Sequence, residues 1–152
     1  MDIQKTIENI REICEFDFIK VALAETTIGN YTLDAAYASG NVSNRYVRIV
    51  LQKRIGLAGL VLKTGRPHYI INADEEITPA NMSQYPIILA EGLKSLGAAP
   101  IFYQQRVIGS VLAGFRSVDQ MTPEKRHLFE TEVSERFGRM FTKRVVKNEY
   151  ND

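Results

Sequence analysis

The chain has 152 residues, 45% of them hydrophobic and 24% charged, and 19 Lys and Arg against 18 Asp and Glu leave a net charge of +1. That length suits one domain with a substantial core, and the charge balance lacks the basic surplus of a dedicated nucleic-acid binder. A single cysteine, Cys14, excludes an intrachain disulfide, a four-cysteine zinc site and a CxxC redox pair.

The opening Met1-Asp2-Ile3-Gln4-Lys5 has no secretory apolar region, and no apolar run approaches the roughly 20 residues that span a bilayer. The expected setting is cytoplasmic, with no membrane partner. Ile3, Ile7, Ile10 and Cys14 recur at helical spacing and predict a first helix ending near Glu15. Phe16 to Ala24 switches to a strand pattern, Gly29-Asn30 marks a turn, and Tyr31 to Tyr37 alternates as a second strand. Ser39-Gly40-Asn41 breaks it. Arg45 to Leu51 reads as a period-2 strand or as a helical turn at its start.

Gly56 to Gly65 then predicts a short helix, with Gly65 as a left-handed cap and Pro67 as a stop. His68 to Ile71 is a short strand, and Asn72 to Gln84 is expected to be a loop. Tyr85 to Leu93 suits a short helix with Pro86 in its first turn. Ser95 to Tyr103 and Val107 to Phe115 form a hairpin across Gln104-Gln105-Arg106. Thr122 is an N-cap, Pro123 the first helical position, and Leu128, Phe129, Val133, Phe137, Met140, Phe141 and Val145 stripe a long last helix. The order predicts an α+β domain on one largely antiparallel sheet, with the terminal helices on one face and the middle helices and a pocket on the other.

The stretch Gly56-Leu57-Ala58-Gly59 carries the functional argument. No Asp or Glu occurs from Ala35 to Ala73, while Arg45, Arg48, Lys53, Arg54, Lys63 and Arg66 do. A helix start offers unpaired N–H groups and partial positive charge, which suits a small anion. The Gly-Lys-Ser/Thr end of a P-loop and the glycine spacing of a dinucleotide turn are missing. The basic residues would steer anions, face a protein partner, or form an ordinary solvated surface. His68 and His127 lack ligand spacing, so no metal and no cofactor is expected. Cys14 reads as a small buried hydrophobe rather than a nucleophile.

Taken as a set, four pieces resemble the GAF domain family. They are Gly56-Leu57-Ala58-Gly59-Leu60-Val61; Thr64-Gly65-Arg66-Pro67 with His68-Tyr69-Ile70-Ile71-Asn72; Gly97-Ala98-Ala99-Pro100-Ile101 with Val107-Ile108-Gly109-Ser110-Val111-Leu112; and Met121-Thr122-Pro123-Glu124. The likeness covers nearly the whole chain and implies a free-standing GAF domain over residues 1–152. Tyr37-Ala38-Ser39-Gly40-Asn41, Arg45-Tyr46 and Tyr85-Pro86-Ile87 are further similar to the stand-alone nitrate-receptor GAF proteins (NreA type), which modulate a sensor histidine kinase of a two-component system. That resemblance implies an anion held by Leu57, Ala58 and Gly59, closed over by Tyr85, Pro86 and Ile87, with Ala35 at the second-strand position where those proteins carry an aromatic and Tyr37 two residues on, a departure that implies a looser or differently shaped pocket. The alternative for Tyr85 and Ile87 is that they only pack a loop onto the sheet.

The expected partners are nitrate and a sensor kinase, with a terminal helix as the contact for the kinase or for a homodimer. Two other readings stay open. One is a degenerate enzyme of the methionine-sulfoxide-reductase branch, against which the single cysteine argues. The other is a ligand-free adaptor. The Asn-Lys-Phe-Asp-Glu signature of cyclic-nucleotide GAF domains is not present, and Cys14 is misplaced for a bilin attachment.

Overall fold

Ile3, Ile7, Ile10 and Cys14 are all buried on one side of helix α1 (Ile3–Cys14), the outcome their spacing predicts. The Asp2 carboxylate caps its start by accepting from the Lys5 N–H at 3.1 Å, and Glu15 ends it in the left-handed region at φ 62°. The structure is a computed structural model that describes residues 2–28, 31–48 and 56–151. Strand β1 (Phe18–Ile28) and strand β2 (Tyr31–Ser39) run antiparallel. Arg45–Arg48 forms a 3₁₀ turn, so the start of that segment is helical rather than extended. The rest of it lies outside the described residues, as does the Gly29-Asn30 turn.

Helix α2 (Gly56–Thr64) stops at Gly65, whose φ of 70° favours a residue without a Cβ. Strand β3 (His68–Ile70) follows. The expected loop from Asn72 to Gln84 contains more structure than its polarity suggests. Asn72 caps the one-turn helix α3 (Ala73–Glu76) by accepting from the Glu75 N–H, and the Glu76 carboxylate accepts from the N–H groups of Ile71 and Asn72. These local side-chain bonds make the helix-poor sequence turn. A 3₁₀ turn (Met82–Gln84) then leads into α4 (Pro86–Glu91).

Strands β4 (Ser95–Tyr103) and β5 (Arg106–Phe115) form the hairpin, closed by Gln104 and Gln105 at φ 48° and 66°. Two positive φ values match a tight hairpin turn of primed type. Helix α5 (Pro123–Asn151) is capped by the Thr122 hydroxyl, which accepts from the Lys125 N–H at 3.2 Å. Thr122→Ala is expected to cost about 1 kcal/mol and Thr122→Ser to keep most of it. Denaturant midpoints of the two variants check this, and equal midpoints would show that the cap contributes nothing.

The sheet order is β2-β1-β5-β4-β3, with every pairing antiparallel, which confirms the α+β expectation. Side-chain alternation splits its two faces. Val21 and Val111 face a core closed by Ile7 and Ile10 of α1 and by Phe129, Val133 and Phe137 of α5. Phe16 packs edge-on against Phe115 and Phe129, with ring centroids 5.2 and 5.4 Å away. Phe18, Leu96 and Leu112 face the other way, into a second core closed by α2 and α4. Side chains of α5 beyond Gly138 lie outside the described residues. Among the described residues, no helix is long and apolar enough to cross a membrane.

Candidate functional site

Two helix starts meet over the second core. A Cβ built on Gly56 would lie 3.2 Å from the Gln84 carbonyl oxygen, so the first residue of α2 abuts the turn that feeds α4. Gly56 sits at φ 67°, and Pro86 opens α4 with no N–H of its own. The first N–H groups of each helix have no acceptor within it. At α2 these belong to a first turn without acidic residues.

Helix α2 packs on both β4 and β5, and at its far end a Cβ on Gly65 would touch Val107 and Phe102 at 3.6 and 3.8 Å, next to the β4–β5 turn.

The sequence-predicted residues divide between the two faces. Leu57 and Ile87 are buried in the second core, and Ala58 and Tyr85 pack against it half-buried. Gly59 is buried within α2, and Pro86 is half-buried at the head of α4. Leu57, Ala58, Tyr85 and Ile87 thus share the second core, with Gly59 and Pro86 next to them along the chain. Tyr37 does not join them. It pairs with Val21 and packs against the core under α1 and α5, on the opposite face of the sheet. The reason is strand alternation: β2 presents Ala38, not Tyr37, to the α2 side. Ala35, two residues before Tyr37 on β2, pairs with Leu23 of β1. Of the basic residues, Arg45 and Arg66 are exposed, while Lys53 and Arg54 lie outside the described residues.

One buried charge on the α2 side escaped the sequence reading. Lys20 is 6% exposed and sits in register between Ala38 of β2 and Leu112 of β5, both in the second core. Direct partners in an antiparallel pair share a face, so Lys20 belongs to the floor beneath α2. Burial pushes its ammonium down to about 8. Ser110, 1% exposed, lies on the same floor, paired with Ala22, and its hydroxyl has no hydrogen-bond partner. A signal was present in the sequence. Phe18 to Ala24 is apolar on both strand faces, and Lys20 is its one charge. A strand covered on both sides must bury whatever it carries.

Cys14 and His127 stand away from this site. Cys14 is buried under α1, in the first core, where burial pushes its thiol up to about 11. His127 is exposed on α5, and His68 exchanges a 2.7 Å hydrogen bond with the Thr64 hydroxyl.

The GAF domain family model matches residues 3–139. A search of curated proteins finds no significant match. Among solved structures, two of the NreA protein of Staphylococcus aureus, mutated in its nitrate binding site, are 36% identical with a TM-score of 0.66. They cover 75% of this chain and 83% and 84% of their own. A free methionine-R-sulfoxide reductase of Neisseria meningitidis matches at 17% identity and a TM-score of 0.67, over 92% of this chain and 75% of that one. A domain described as part of a two-component sensor histidine kinase of Sinorhizobium meliloti matches at 16% identity and 0.67, over 100% and 99%. The last two share the fold alone. With a family model spanning residues 3–139 and a 36%-identical relative covered over 83% of its length, the chain belongs to the GAF domain family.

Proposed function

We propose that this GAF protein is a cytoplasmic receptor for a small oxoanion, nitrate, and that it signals occupancy to a sensor histidine kinase without catalysing a reaction. The observation that carries the reading is the contact between Gly56 and the Gln84 carbonyl, which sets the N–H groups of Leu57, Ala58 and Gly59 beside the Tyr85-Pro86-Ile87 segment. Nitrate is flat, weakly basic and monovalent. It is held better by several N–H donors inside an apolar cage than by one exposed cation. Leu57, Val61, Ile87 and Ile88 supply that cage. The 36% identity to a protein with a nitrate binding site supports the same ligand.

An enzymatic reading has less support. Reduction of a sulfoxide by a thiol needs an accessible thiolate. Cys14 is buried on the opposite face of the sheet from the helix starts, with its thiol pushed up to about 11.

Signalling follows from where α4 sits. Leu89 of α4 is 62% exposed and Val42 is 66% exposed, and the Val42 N–H donates to Glu91 at the end of α4. A ligand that binds better when α4 is closed shifts this surface by its differential affinity for the two states, and by no more.

Calorimetry with nitrate, nitrite, chloride and cyclic nucleotides tests the reading. Nitrate is expected to bind, and Ala58→Leu is expected to weaken it about tenfold or more by filling the space over the helix start. Absence of binding by any of the anions would overturn the receptor in favour of a ligand-free adaptor.

A further inference from the structure

Strand β3 pairs only with Leu96 to Ala98, so among the described residues β4 has no strand on its outer side from Ala99 to Tyr103. Along that stretch a groove of about 320 Å³ opens between β4 and α5, lined by Pro67, Ile101 and Phe102 from the sheet side and by Glu130, Ser134 and Gly138 from the helix. Phe102 is 46% exposed, and a Cβ built on Gly138 would meet no described atom within 4 Å. Pro100 has no N–H to offer an added strand, so a helix suits this edge better than a strand does.

Helix α5 itself runs past the groove. It follows β4 along its length. The Met121 N–H, just before α5, donates to Ser95 Oγ at 2.9 Å. Glu130 accepts from Tyr69, which stands opposite Gly97, and Gly138 shares the groove with Phe102. The strand ends at Tyr103, whereas α5 continues for about 20 Å beyond Gly138, to Asn151. In sequence that extension holds Met140, Phe141 and Val145, with Arg139, Lys143, Arg144 and Lys147 against Glu149. The preceding stretch is acidic, with Glu130, Glu132 and Glu135 against Arg136. Arg136 pairs with Glu132 at 2.6 Å, which leaves Glu130 and Glu135 in excess.

We propose that the groove seats a second copy of this chain: two α5 helices cross antiparallel near Gly138, and the basic extension of each lies in the groove of the other. Such a contact is isologous and closes on itself as a two-fold dimer. The antiparallel sense follows from charge. With the two-fold at Gly138, the acidic stretch from Glu130 to Glu135 of one copy faces residues 141–146 of the other, which hold Lys143 and Arg144. A parallel pair would set acid against acid and base against base, which costs affinity. The extension also brings apolar residues to a groove whose exposed aromatic, Phe102, has room for them. Gly138 lets two helix backbones approach closely at the crossing. The dimer requires no ligand and is independent of the receptor reading.

Sedimentation equilibrium of the full chain, beside Gly138→Leu and Phe102→Glu, tests this. The wild type is expected to be dimeric at about 100 μM. Gly138→Leu fills the open side of α5 with a better helix former. Its monomer is expected to melt no lower than the wild-type monomer at low concentration, while its dimer dissociation constant rises about tenfold or more. Phe102→Glu sets a second carboxylate beside Glu130 in the groove and is expected to weaken the dimer at least as much. Raising sodium chloride from about 0.05 to about 0.5 M is expected to weaken the wild-type dimer several-fold. A wild type that stays monomeric at about 100 μM overturns the proposal. A dimer whose dissociation constant neither variant changes lies on another face and overturns it too. A dimer that tightens with salt overturns the antiparallel pairing.

Discussion

Arg116→Met is expected to destabilise the fold by about 3–5 kcal/mol, because it strands a buried carboxylate. The Glu91 side chain is fully buried, and its Oε1 accepts from Arg116 Nη2 at 2.8 Å and from the Val42 N–H at 2.9 Å. Arg116 does more than neutralise it. Nε donates to the Glu91 carbonyl at 2.8 Å, Nη2 to the Gly40 carbonyl at 3.0 Å and Nη1 to the Asp17 carbonyl at 3.4 Å. One guanidinium thus joins the end of α4, the turn after β2, the start of β1 and the end of β5. Removing it leaves both Glu91 oxygens short of partners, since Oε2 has none to begin with.

The double variant Arg116→Met with Glu91→Met is expected to recover a substantial part of that loss, since neither charge is then buried alone. Guanidinium titrations of the two single variants and the double variant measure the coupling. A single Arg116→Met within about 0.5 kcal/mol of wild type would show that the pair is not structural. The same cluster holds the C-terminal end of α4 in place.

Element order was legible because each piece carried its own local pattern. Ile3, Ile7, Ile10 and Cys14 show a helical period that burial then reproduces, and Thr122-Pro123-Glu124 spells a helix start whose cap bond is observed. The misreadings share a cause as well. The helix at Ala73–Glu76 depends on Asn72 and Glu76 bonding nearby backbone, which a hydropathy pattern does not register. The resemblance alone puts Tyr37 at the pocket, and a likeness of sequence carries no strand parity. Which face a strand residue occupies is set by pairing, here opposite Val21. Arg116 and Glu91 are 25 residues apart and meet through the packing of α4 beside the end of β5, while Lys20 and Ser110 become neighbours only through the β1–β5 register. The helix start at Gly56 was readable from its glycines, and its meeting with Gln84 was not.

The pH dependence of stability should show the burial of Lys20 directly. Its ammonium titrates at about 8 in the folded chain against 10.5 when unfolded, with desolvation as the cause. Below pH 8 both states hold the proton and the full cost of burying the charge is present. Between pH 8 and 10.5 the folded chain releases its proton first, so the unfolded chain binds more protons and stability rises with pH. Cys14 acts with the opposite sign in a higher window. Its thiol is raised from 9.0 to about 11, so from pH 9 upward the folded chain keeps a proton that the unfolded chain gives up, and stability falls. Tyr69, raised by burial and by the Glu130 carboxylate, adds to that fall above its ordinary range near pH 10. The wild type is therefore expected to gain about 1 kcal/mol from pH 8 to 9 and then to turn over. Lys20→Met removes the rise and is expected to be more stable by about 3 kcal/mol at pH 7. Denaturant titrations at pH 7, 8 and 9 measure both effects, and a Lys20→Met profile parallel to the wild type would show that another group titrates there.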